Sequence, residues 1–137
     1  MRTIVVGYDD TEPARRALDR AVALAKAFDS RVVVTTVAPV TTPAAGRSIG
    51  ADPADTGGDH MVELAHARAL IDAAGVPAEY VEALGHPADA IVTTATQHGA
   101  ELIVVGTREP GFLERMLGTS VSDAVSHRAH CDVLIVH

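Results

Sequence analysis

Ile4-Val5-Val6-Gly7-Tyr8, then a stretch over 13–27, then Arg31-Val32-Val33-Val34-Thr35-Thr36-Val37 stand in that order near the start of the chain. The two β-branched runs are short and continuous, the mark of strands covered on both faces. Between them Ala14, Ala17, Leu18, Ala21, Val22 and Ala25 recur at the helical period. Thr11 can cap this helix, and Glu12 with Pro13 suits its first turn. Strand, helix and strand within about 35 residues make the parallel crossover unit.

The rest of the chain repeats that alternation. Residues 39–59 carry Pro39, Pro43, Gly46, Gly50, Pro53, Gly57 and Gly58, which interrupt every period and predict a long mobile loop or lid. Helical spacing resumes at Met61, Leu64, Ala65, Ala69 and Leu70 and stops at Gly75 and Pro77. Tyr80–Leu84 reads as a third strand. Gly85-His86-Pro87 opens a helix through Ala88, Ile91, Val92 and Ala95 that Gly99 closes. Leu102–Gly106 is a fourth strand, a loop spans 107–119, Val121, Ala124 and Val125 mark a last helix, and Val133–Val136 is a fifth strand. Five strands alternating with four helices predict an α/β fold, a single open parallel sheet with helices on both faces. The chain reads as one domain over 1–137 with no internal repeat.

Composition narrows the function. Of 137 residues, 47% are apolar and the formal net charge is −7, which suits a globular chain and disfavours polyanionic partners. Few aromatics (two Tyr, two Phe, no Trp) leave no stacking platform for single-stranded nucleic acid. Nucleic acid and membrane partners are therefore not expected. Met1-Arg2-Thr3 runs straight into the first strand and then meets Asp9 and Asp10, unlike a secretory leader, and one cysteine suits a reducing compartment. A cytoplasmic location is the expectation.

In open parallel sheets ligands bind beyond the carboxyl ends of the strands, where the strand order reverses. Here the first strand ends in Gly7-Tyr8-Asp9-Asp10-Thr11, the second in Val37-Ala38-Pro39 and the fourth in Gly106-Thr107-Arg108. Gly118-Thr119-Ser120-Val121-Ser122 then opens a helix. A helix start offers free N–H groups and partial positive charge, Gly118 removes a Cβ, and the hydroxyls add donors, which together suit a phosphate. Arg108 and Arg115 can add charge. A simple capped helix after a surface loop is the alternative.

The only lysine is Lys26. It follows no glycine-rich loop, so a P-loop is excluded and efficient phosphoryl transfer by that route is not expected. The Asp9-Asp10 pair suggests a receiver domain, but the third strand ends in Ala83-Leu84-Gly85 without an acceptor Asp, and no lysine follows the fifth strand.

Val6-Gly7-Tyr8-Asp9, Gly85-His86-Pro87 and the segment from Gly106 to His137 resemble the universal stress protein family over nearly the whole chain. That family's nucleotide motif is Gly-x2-Gly-x9-Gly-Ser/Thr. Gly106 fits its first position and Ser120 its last, while Glu109 and Thr119 replace the other two glycines. Gly111 and Gly118 lie within two residues of the lost ones. The resemblance implies a Rossmann-like sheet in order 3-2-1-4-5, usually dimeric. It implies a stress-response sensor or regulator that binds ATP or another adenine nucleotide, with Mg as an accompanying ion, and hydrolyses it slowly at most. Asp9 and Val37 would lie at the adenine, and Gly7 would be a further nucleotide-binding residue. Gly106, Arg108, Gly111, Gly118, Thr119, Ser120 and Val121 would take ribose and phosphates. Cyclic AMP, or a nucleotide-independent dimerisation role, remains as the alternative. His127, His130 and Cys131 lack the second ligand pair of a structural metal site and read as helix-end and core residues. Phe112, Leu113, Met116 and Leu117 read as a short helix packed on the sheet, with a contact surface for a partner as the alternative. The apolar fifth strand, ending the sheet, is the expected homodimer edge.

Overall fold

The computed structural model describes residues 2–9, 11–38, 53–107 and 121–137. Elements alternate as β1 (Thr3–Gly7), α1 (Glu12–Phe28), β2 (Arg31–Ala38), α2 (Pro53–Ala74), β3 (Ala78–Leu84), α3 (Pro87–Gln97), β4 (Leu102–Gly106), α4 (Val121–Arg128) and β5 (Asp132–Val136). The five strands form one parallel sheet in the order β3-β2-β1-β4-β5. This is the sheet that the alternation and the family resemblance imply.

Strand alternation divides the core in two. Ile4, Val6, Val32, Val34 and Val104 face α1 and α2, packing with Leu18, Ala21, Ala67 and Ile71. Val5, Val33, Ile103 and Val105 face α3 and α4, packing with Ala88, Ile91, Ala95 and Val125. Both faces are covered, which is why the central strands read as unbroken apolar runs.

All six apolar residues predicted for α1 are buried. Thr11 caps that helix, its hydroxyl accepting from Ala14 N–H at 3.3 Å. Asp29 ends it in the left-handed conformation, φ 55°, and Ser30 N–H reaches back to the Ala25 carbonyl at 2.8 Å.

The start of the second helix differs most from the sequence reading. Helix α2 begins at Pro53, so residues 53–59 are helical rather than part of a loop. Proline is at home in a first helical turn. Gly57 and Gly58 lower helix propensity without forbidding it, and the apolar period that signals a helix does not start until Met61. The remainder of the expected mobile loop, 39–52, lies outside the described residues, as do Phe112, Leu113, Met116 and Leu117.

Candidate functional site

Strand order reverses beside β1: the chain moves outward through β2 and β3, then crosses to β4 and β5 on its other side. The carboxyl ends of β1 and β4 therefore diverge into connections on opposite faces, which opens a crevice. A cleft of about 130 Å³ lies there. Gly7, Tyr8 and Asp9 reach it from the end of β1, Thr35 and Val37 from β2, and Val105 and Gly106 from β4. The starts of three helices close it: Thr11, Pro13 and Ala14 of α1, Pro87 and Ile91 of α3, and Val121 and Ser122 of α4.

Convergence of three helix starts sets the electrostatics. Each contributes partial positive charge and N–H groups with no partner inside its helix, so the rim favours an anion. One carboxylate sits among them. Asp9 Oδ1 accepts from Thr11 Oγ1–H at 2.6 Å and from Thr11 N–H at 3.2 Å. Thr11 thus orients Asp9 while capping α1.

Of the sequence-predicted site residues, Gly7, Asp9, Val37, Gly106 and Val121 come together on this cleft from four separate stretches of chain. Arg108, Gly111, Gly118, Thr119 and Ser120 lie outside the described residues, as do Glu109 and Arg115.

The glycines have distinct jobs. A Cβ on Gly106 would stand 2.4 Å from the carbonyl oxygen of Pro13 and 2.5 Å from its carbon, so α1 can rest on the end of β4 only if that strand ends in glycine. At Gly7 a Cβ would meet the tip of Ile91, Cδ1, at 2.6 Å, a flexible neighbour.

Thr35 was not singled out by the sequence, where it reads as one more β-branched strand residue. It is 0% exposed, and its hydroxyl has no hydrogen-bond partner among the described residues. Leaving such a group unpaired costs about 1–3 kcal/mol. Its signal becomes visible only once β2 is registered on β1, where Thr35 pairs with Gly7 at the cleft.

Elsewhere, burial first and the neighbouring Asp132 second push the Cys131 thiol above its ordinary value, so it stays protonated near neutrality. That suits a core thiol rather than a nucleophile. Among the described residues no three His, Cys, Asp or Glu side chains gather as a metal site. No helix among them is long and apolar enough to cross a membrane.

Comparison with known proteins follows the same lines. The family model of the universal stress protein family matches residues 1–137. The chain belongs to the universal stress protein family. Among curated relatives of this family member, universal stress protein Rv1636 of Mycobacterium tuberculosis (strain ATCC 25618 / H37Rv) is 34% identical over 140 residues, covering 99% of this chain and 96% of the relative. Universal stress protein YxiE of Bacillus subtilis (strain 168) is 32% identical over 148 residues, with 97% of each covered. Among solved structures, a universal stress protein in complex with cAMP superposes with a TM-score of 0.79 at 30% identity, over 99% of this chain and 97% of that one.

Proposed function

We propose that this universal stress protein binds an adenine nucleotide, ATP or cyclic AMP, in the cleft between β1 and β4. It would act as a stress-response sensor or regulator rather than an efficient enzyme. The observation that carries the reading is the meeting of three helix starts with the ends of β1 and β4 on one cleft. A cleft of about 130 Å³ suits part of a nucleotide, such as the ring, with the remainder along the rim. The similar solved structure in complex with cAMP adds support. In this reading Gly7, Asp9 and Val37 border the adenine. Gly106, Arg108, Gly111, Gly118, Thr119, Ser120 and Val121 take ribose and phosphates, with Mg accompanying a triphosphate. The protein works in the cytoplasm as a homodimer.

Binding without efficient turnover fits the cation inventory. Lys26 sits in the last turn of α1, whereas the cleft meets that helix at its first turn. Thirteen residues of helix rise separate Lys26 from Pro13, about 20 Å. The sole lysine therefore cannot reach a phosphate held at the cleft.

Titration calorimetry with ATP, ADP and cyclic AMP, with and without Mg, tests the reading. Saturable heat with at least one of them is expected, weakened in Asp9→Ala. No heat at millimolar concentration of any of the three overturns it and favours a nucleotide-independent dimerisation module.

A further inference from the structure

The cleft has a polar group beside it that no described residue bonds. Thr35 is fully buried, and its Oγ1 neither donates nor accepts a hydrogen bond among the described residues. Its main chain is occupied: the Thr35 carbonyl accepts from Tyr8 N–H at 2.9 Å. Only the side-chain hydroxyl is left over. Valine has nearly the same shape without a hydroxyl to satisfy, and Val32, Val33 and Val34 precede it in the same strand.

Position distinguishes Thr35 from an indifferent core threonine. Alternation along β2 puts it on the α3 side of the sheet, with Val33 and Val37. Its cross-strand neighbour is Gly7, which has no side chain, and the flexible tip of Ile91 fills the space over that glycine. Gly7, Thr35, Val37, Pro87 and Ile91 all border the cleft. Thr36 supplies an internal contrast. It is equally buried and its hydroxyl equally lacks a partner among the described residues, yet it points to the opposite face and does not line the cleft.

We propose that the Thr35 hydroxyl is a specificity-determining hydrogen-bond partner kept for the ligand. The ligand class it selects is a planar nitrogen heterocycle whose hydrogen-bonding edge enters the cleft. A hydroxyl serves either as donor or as acceptor, so it can meet a ring nitrogen or an amino group. The apolar surroundings given by Val37, Pro87 and Ile91 suit the flat faces of such a ring. The inference rests on the adenine-nucleotide reading of the same cleft, with Thr35 reading the base and the helix starts holding the anion.

The test compares the unmodified protein with Thr35→Val and Thr36→Val, by thermal melting without ligand and by calorimetry with ATP and cyclic AMP. Thr35→Val is expected to melt at or above the unmodified protein and to bind about 5–10-fold more weakly. Thr36→Val is expected to bind as the unmodified protein does. Unchanged affinity in Thr35→Val overturns the inference while leaving nucleotide binding intact. A lower melting temperature in Thr35→Val also overturns it, because the hydroxyl would then already have a structural partner. An equal loss in Thr36→Val overturns it as well. If the unmodified protein gives no heat, the nucleotide reading fails and this inference fails with it.

Discussion

Gly106 illustrates how one residue can satisfy a motif for a reason the motif does not state. In the sequence it is the first glycine of a nucleotide-binding pattern, where the absent side chain would let backbone approach a ligand. In the fold the group that comes close is Pro13 of α1, whose carbonyl oxygen would lie 2.4 Å from an added Cβ. Backbone on both sides leaves little room to relax. Gly106→Ala is therefore expected to lower stability by about 1–3 kcal/mol, an overpacking cost that is present without any ligand. Urea unfolding followed by circular dichroism measures it, and a midpoint equal to that of the unmodified protein counts against the packing role. Asp9 and Val37 were legible for a different reason: they end runs that identify themselves as strands, so their place at a carboxyl end follows from the run. Thr35 was not legible, because a threonine inside a strand looks the same whether its hydroxyl is used or orphaned.

At the scale of elements, the first turn of α1 does three things at once. Thr11 accepts from Ala14 N–H, donates to Asp9 Oδ1, and precedes the proline on which β4 ends. Thr11→Ala removes both hydroxyl bonds, so it is expected to cost about 1 kcal/mol of stability. It should also weaken nucleotide binding, by removing the shorter of the two Thr11 bonds that orient the Asp9 carboxylate. Thr11→Ser keeps the hydroxyl and should restore most of both. Thermal melts paired with calorimetry read the two effects, and a serine variant no better than alanine argues against the capping bonds. Helix α1 could be read from sequence since its apolar stripe, cap and first-turn proline agree. The start of α2 could not, because residues 53–60 lack the apolar spacing that reports a helix and carry two adjacent glycines. Strand β3 begins at Ala78, two residues before Tyr80, where the apolar run becomes visible.

At the scale of the whole molecule, the sheet has two edges and they differ in chemistry. β3 exposes one edge and carries Glu79 and Glu82 within seven residues; charges of this kind discourage a second chain from adding to the ladder. β5 forms the other edge. After Asp132 it runs through Val133, Leu134, Ile135 and Val136 without a charge, and the first three of these are only half-buried. Backbone groups on the side of β5 that no described strand pairs, flanked by apolar side chains, form a template for a second copy, so a homodimer is expected through β5 and not β3. Light scattering should then give about twice the chain mass of 14.2 kDa. Val133→Glu copies onto β5 the protection that β3 already has and is expected to shift the mass to that of one chain. Val81→Glu introduces the same change at a half-buried position of β3, with a similar burden on the fold, and should leave the dimer intact. Circular dichroism of both variants separates dissociation from unfolding. A single-chain mass for the unmodified protein at every concentration rules out edge pairing. Dissociation by Val81→Glu rather than Val133→Glu would move the interface to the opposite edge.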